Sequence, residues 1–242
     1  ALAKKVGMRH IAMELGSNSA VIVLSDANIF HAADRIVLGA MALAGQVCIS
    51  VQRVYVEEPV YDVLVEHIVS AASKLRIGDP MAENTDMGPM IAKSDTQRID
   101  EWIGEAVAGG AKVMCGGKGE NTLYEPTVVV ESPQDAKIIQ KEAFAPIVVI
   151  NPVSDLREAI DMVNDSIYGL QAGIFTADIH AAREAFELIQ VGGVIVNDVP
   201  TFRADVMPYG GVKDSGLGRE GPKHAIEHMT YQKAFVVHRF DE

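Results

Sequence analysis

Few residues in this chain are equipped for covalent chemistry. Cys48 lies in LGAMALAGQVCISVQRVYV (38–56), surrounded by Ala, Leu, Met and Val, and Cys115 is the other cysteine among 242 residues. As a thiolate Cys48 would be a nucleophile toward a carbonyl. As a thiol packed among aliphatic side chains it would be inert filling, and composition by itself favours that reading. The two cysteines are far apart and lack CxxC spacing, so neither a disulfide framework nor a cysteine-rich zinc site is indicated. The compartment expected from this usage is reducing, as in a cytoplasm.

Two further patterns carry chemistry if their context is right. GLGREG (216–221) fits G-x-G-x-x-G, which cradles a pyrophosphate when it follows a buried strand and opens a helix. Here it follows PYGGVKDS, which is no strand, so a flexible loop is the competing reading. HAIEH (224–228) fits H-x-x-E-H, with His224 and His228 on one helix face and Glu227 as base or ligand. Such a site needs a third protein ligand, and only fourteen residues follow His228, so a solvated helix face is the simpler account and no metal is expected.

The elements that must position these groups alternate. SAVIVL (19–24) is a short apolar run rich in β-branched residues, as in a strand buried on both faces. Ser25, Asp26 and Asn28 then offer caps to a helix running toward Gly45. VQRVYVEE (51–58) reads as a strand, 60–75 as an amphipathic helix, 78–91 as a loop, and the segment after a capping Ser94 as a helix ending at Gly109 and Gly110. Strands AKVMCGG, PTVVVE, APIVVINPV, QAGIFT and GVIVND follow, with helices in SDLREAIDMVNDS and DIHAAREAFELIQ. This order predicts an α/β fold with a twisted, mainly parallel sheet covered by helices. The irregular stretch from Val199 to Pro222 is long for a loop in a compact domain, which marks it as functional.

Composition narrows the function classes. Lys plus Arg number 21 against 33 Asp plus Glu, a formal net charge of -12, which repels a phosphate backbone in the absence of a basic patch; no nucleic-acid partner is expected. Apolar windows such as 36–51 are too short and too interrupted for a membrane span. The N-terminal segment ALAKKVGMRH lacks the apolar centre of a secretory signal.

Four motifs occur in one order: Met13-Glu14-Leu15-Gly16-Ser17-Asn18-Ser19; Gly45-Gln46-Val47-Cys48; Glu142-Ala143-Phe144-Ala145-Pro146; and Pro208-Tyr209-Gly210-Gly211-Val212-Lys213-Asp214-Ser215-Gly216-Leu217-Gly218-Arg219-Glu220. Together, over essentially all 242 residues, they resemble the NAD(P)-dependent aldehyde dehydrogenase superfamily, with Tyr124-Glu125-Pro126-Thr127 and Val196-Asn197-Asp198 as further landmarks. The resemblance implies a cysteine nucleophile at Cys48, a general base at Glu14, and cofactor contacts at Glu142, Phe144 and Leu15, with NAD or NADP as cofactor. It also implies an aldehyde entrance lined by Phe202, Arg203 and Ile49. Arg203 is a candidate partner for a substrate carboxylate or phosphate, against an alternative structural pairing with Asp205.

The same resemblance divides the chain into a remnant of the coenzyme-binding domain (1–16), a catalytic domain (17–224) and an oligomerisation tail (225–242), in which YQKAFVVHR (231–239) is expected as a strand. A homodimer or homotetramer acting on a small aldehyde, with no membrane partner, is the implied state. The family's upstream asparagine and most of its dinucleotide site lie outside this sequence, so a catalytic half, inactive by itself, is expected. Ser17, Asn18, Ala20 and Ala145 depart from the usual family residues without removing a reacting group. A non-catalytic assembly module remains the rival reading, and transfer of the acyl group to coenzyme A the rival outcome, against which Glu14 argues.

Overall fold

The structure is a computed structural model and describes residues 4–239. Seven strands form its central sheet: β1 (Ala20–Val23), β2 (Arg53–Glu57), β3 (Lys112–Cys115), β4 (Thr127–Val130), β5 (Ile147–Val153), β6 (Gln171–Phe175) and β7 (Gly193–Val196). Their order is β7-β6-β1-β2-β5-β4-β3, and every neighbouring pair is parallel except β3 with β4. Six helices of eight or more residues accompany them: α1 (Ile29–Met41), α2 (Glu58–Ala72), α3 (Lys93–Ala108), α4 (Leu156–Asn164), α5 (Ile179–Leu188) and α6 (Pro222–Met229).

Period-two side-chain direction sorts the core into two layers. Val21 and Val23 of β1, with Val54 and Val56 of β2, face the cluster built on α1, α2 and α3. Ala20, Ile22 and Tyr55 face the opposite way, into the cluster with α4 and α5. Strands covered on both sides have no polar face, so β1 reads AVIV and is buried throughout.

Helix starts follow local hydrogen-bond chemistry. Asn28, Asp155 and Asp178 each accept a backbone N–H from the first turn of the helix they precede. The expected cap at Ser94 is not one: α3 already begins at Lys93, with Ala92 at the cap position and no side-chain cap. No helix among the described residues is long and apolar enough to cross a membrane.

Two expectations are corrected. Residues 199–222 are not structureless, since Gly216–Leu217 pairs antiparallel with Met13–Glu14, Val212–Lys213 pairs with Tyr168–Gly169, and Tyr209 bridges Glu220. Conversely, residues 231–239 form no strand, and Tyr231, Phe235, Val236 and Val237 stand exposed. A strand exists only when its N–H and C=O groups meet another edge, and this segment meets none among the described residues.

Candidate active site

Parallel pairing decides where three of the four motifs meet, and short antiparallel ladders to Met13–Glu14 and Tyr168–Gly169 bring in the fourth. Glu14 to Ser19 lead into β1, Cys48 into β2, Glu142 to Ala145 into β5, and Leu170 into β6. Strands running the same way bring their starting ends together, so these segments share the amino edge of the sheet. Open α/β sheets usually hold ligands at the opposite, carboxyl edge. Here the groups with reactive chemistry lie before the strands.

The turn that delivers Cys48 is backbone-driven. Leu43, Ala44 and Gly45 are all left-handed, with φ of 52°, 55° and 67°. For the two non-glycine residues this costs on the order of 1–2 kcal/mol each. Gly45 has a second reason to be glycine, because a Cβ would overlap the carbonyl of Ala145 and approach the nitrogen of Pro146 to 2.8 Å. Gln46 anchors the turn outward, its Oε1 accepting the Ile91 N–H at 3.1 Å.

Cys48 is half-buried beside Ile49, Leu170 and Tyr209, and its Sγ lies 3.3 Å from the Tyr209 hydroxyl. Among the described residues nothing accepts the Cys48 N–H, which leaves that donor available. Ile49 is buried and packs in the same cluster. Burial, followed by the hydrogen bond and charge of Cys48 and then the charge of Glu14, pushes the Tyr209 hydroxyl far above its ordinary range.

Glu14 is solvent-accessible on the short ladder opposite Gly216, and the Leu15 N–H donates to Ser215 O at 3.0 Å while the Leu15 side chain stays half exposed. Partial burial and then Glu220 push the Glu14 carboxyl up; Arg203 and Arg219 pull it down by less. Glu142 is more enclosed, and burial pushes it up against the opposing Ser17 N–H, which donates to its Oε1 at 2.9 Å. Its other oxygen, Oε2, occupies the space a Cβ on Gly16 would fill. Phe144 is half-buried and left-handed at φ 48°, a rare conformation for a bulky residue and a usual companion of functional sites.

The entrance residues divide. Phe202 is about half exposed (46%), its loop tied down by the buried Gln171, whose Nε2 donates to Pro200 O at 2.6 Å. Arg203 is not paired with Asp205 as the alternative had it. Its Nη2 donates to Glu220 Oε2 at 3.1 Å and its guanidinium lies 3.8 Å over the Tyr209 ring centroid. The two motif alternatives also resolve locally. GLGREG runs from the ladder at Gly216–Leu217 to the start of α6, without a buried strand before it. His224 approaches Glu227 at 3.6 Å, His228 stacks on His10, and no three ligating residues among the described ones group as a metal site.

Three participants went unassigned in the sequence. Tyr209 lies inside a quoted motif, yet nothing local shows its hydroxyl facing a residue 161 positions away. Gln52 is buried at the start of β2, where a polar residue within an apolar run is the available signal; its Oε1 accepts the Ala143 N–H at 2.9 Å. Ser215 is fully buried, donating to Gly16 O at 2.8 Å and accepting the Gly169 N–H at 2.9 Å.

The sequence profile of the Aldehyde dehydrogenase family matches residues 1–235. A 3-sulfolactaldehyde dehydrogenase of Priestia megaterium is 48% identical over 233 residues, covering 96% of this chain and 49% of its own length. A lactaldehyde dehydrogenase of Methanococcus aeolicus is 42% identical over 236 residues, covering 98% of this chain and 50% of its own. Among solved structures, the glyceraldehyde-3-phosphate dehydrogenase GapN of Methanocaldococcus jannaschii, complexed with NADP, superimposes with a TM-score of 0.91 at 39% identity, over 94% of this chain and 50% of that one. Aldehyde dehydrogenase 21 of Physcomitrella patens, in complex with the reaction product succinate, gives 0.91 at 43% identity over 94% and 48%. The chain thus spans about half the length of the curated relatives it matches.

Proposed function

The chain belongs to the aldehyde dehydrogenase family, and on that premise we propose that the protein carrying it oxidises a small aldehyde to a carboxylic acid with NAD or NADP as hydride acceptor. The observation that carries this reading is the meeting, at one sheet edge, of a half-buried thiol with a free neighbouring N–H, an accessible carboxylate and a second, anchored carboxylate. Glu142 fits a ribose: Oε1 is held by Ser17 N–H, and Oε2, seated in the space the missing Cβ of Gly16 leaves, has no donor among the described residues and can accept from a hydroxyl.

The chemistry follows from those groups. A planar aldehyde has no electron push to expel hydride, so Cys48 as thiolate adds to the carbonyl carbon and makes a tetrahedral alkoxide. The Cys48 N–H is positioned to hold that oxygen. The nicotinamide cofactor, when bound, supplies the acceptor for the hydride. Cys48 then carries a thioester; Glu14 takes a proton from a water that attacks its carbonyl, the carbon–sulfur bond breaks, and the acid leaves with Cys48 regenerated as thiolate. Glu14 favours hydrolysis over transfer to coenzyme A, because water, a far weaker acid than a thiol, depends more on that base.

Domain roles and surroundings belong to the same reading. Residues 17–224 form the catalytic domain, 1–16 the end of a coenzyme-binding domain, and 225–242 a tail that joins subunits of a cytoplasmic homodimer or homotetramer. Relatives named for lactaldehyde and 3-sulfolactaldehyde point to short aldehydes bearing polar groups. The test is cofactor reduction by the intact protein across lactaldehyde, 3-sulfolactaldehyde, glyceraldehyde 3-phosphate and succinate semialdehyde, beside its Cys48→Ser variant. Aldehyde-dependent reduction that disappears in the variant supports the reading; reduction that survives it removes Cys48 from the mechanism.

A further inference from the structure

We propose that the Tyr209 hydroxyl is the hydrogen-bond donor that holds the Cys48 sulfur in its reactive, ionised form, and that Arg203 and Glu220 form the clamp that aims it. This rests on Cys48 being the nucleophile. The oxygen and sulfur are 3.3 Å apart, Tyr209 is 3% exposed, and the apolar Ile49 and Leu170 pack in the same cluster. Either atom of a thiol–phenol pair can donate, but a thiolate can only accept. The direction in the reactive state is therefore O–H to S⁻, a charge-assisted bond in partly desolvated surroundings.

The phenol keeps its proton, because burial and the neighbouring Cys48 and Glu14 disfavour a phenolate. The other charged groups around the pair are Arg203, Glu220 and Arg219. Arg203 and Glu220 neutralise one another at 3.1 Å.

The ring has little freedom. Tyr209 N–H donates to Glu220 O at 3.2 Å and Glu220 N–H donates back to Tyr209 O at 2.6 Å, which fixes the backbone. The Glu220 carboxylate holds Arg203, and the Arg203 guanidinium covers the Tyr209 ring at 3.8 Å. Three residues thus close a loop through backbone, ion pair and cation–π contact, and the hydroxyl at its inner end is presented to the sulfur. A ring without the hydroxyl would fill the same space and leave the sulfur without this donor.

The measurement is the rate of iodoacetamide alkylation of Cys48 against pH in the intact protein, resolved by peptide mass so that Cys115 does not contribute, for wild type and Tyr209→Phe. Sulfur bonds to carbon and iodide leaves, so no cofactor or turnover enters. In the variant, the pH of half-maximal alkylation should rise by about one pH unit, a tenfold change in the thiolate-to-thiol ratio, or about 1.4 kcal/mol. The alkaline plateau should equal or exceed that of wild type, since a less stabilised thiolate is the stronger nucleophile. An unmoved profile, or an equal loss of rate at every pH, overturns the proposal and makes Tyr209 a packing residue. Failure of the underlying dehydrogenase reading shows elsewhere, as aldehyde oxidation surviving Cys48→Ser, whereas this profile reads the sulfur alone.

Discussion

The side chain of Gln52 accepts the backbone N–H of Ala143 at 2.9 Å, and its amide nitrogen reaches the Ser17 carbonyl at 3.5 Å. One buried side chain therefore touches the segments that carry Glu14, Cys48 and Glu142. Replacing Gln52 with Leu leaves the Ala143 N–H buried without a partner, which costs about 1–3 kcal/mol. A lowered midpoint in chemical denaturation is expected, with a raised KM for NAD(P) and a smaller change in kcat. An unchanged midpoint would show that the link is dispensable.

Glu14 as base predicts a particular failure in Glu14→Gln. Steady turnover should fall by about 10² to 10⁴, while the first turnover still releases one equivalent of reduced cofactor as the thioester accumulates. Rapid-mixing absorbance separates the two. Loss of the burst together with turnover would place Glu14 before the thioester.

The surroundings of Glu14 set a pH dependence. A base works only when ionised, and its carboxyl is pushed up by burial and Glu220, so the acid limb of turnover should lie above the ordinary carboxylate range. Arg203→Ala removes a charge that lowers it and frees Glu220 to raise it further, so the limb should move to higher pH. The linked stability has the opposite sign: the raised carboxyl favours the fold at low pH, and that contribution is lost as pH rises through its folded value. An acid limb unaffected by Arg203→Ala would contradict this.

Glycine substitutions distinguish two environments. Gly45→Ala combines a left-handed φ of 67° with overlap on Ala145, and should destabilise by at least about 1–3 kcal/mol. Gly104→Ala, on the exposed side of α3 with nothing within 4 Å of the added carbon, should stabilise by roughly 0.5–1 kcal/mol. Paired thermal melts read both, and equal effects would remove the steric argument at Gly45.

Gly16→Ala tests the second carboxylate. The new methyl would lie 2.9 Å from the Glu142 Cδ and displace Oε2. The expected outcome is weaker NAD(P) binding by cofactor titration, with Cys48 alkylation close to wild type. Cofactor affinity unaffected by Gly16→Ala would remove Glu142 Oε2 from the ribose.

What the sequence determined by itself was local or periodic. β1 was legible because a strand buried on both faces is apolar throughout, and α1, α4 and α5 have starts that the sequence can show, since Asn28, Asp155 and Asp178 cap them with their own side chains. The motifs named Glu14, Cys48 and Glu142 without locating them. Tertiary structure decided which atoms meet: parallel pairing of β6, β1, β2 and β5 brings the starts of distant segments to one edge, setting Tyr209 against Cys48, Arg203 on Glu220 and Gln52 between Ser17 and Ala143. Residues 231–239 show the converse, since strand propensity alone does not make a strand: the hydrogen bonds that define one belong to a neighbouring edge, and no stretch of sequence contains its own neighbour.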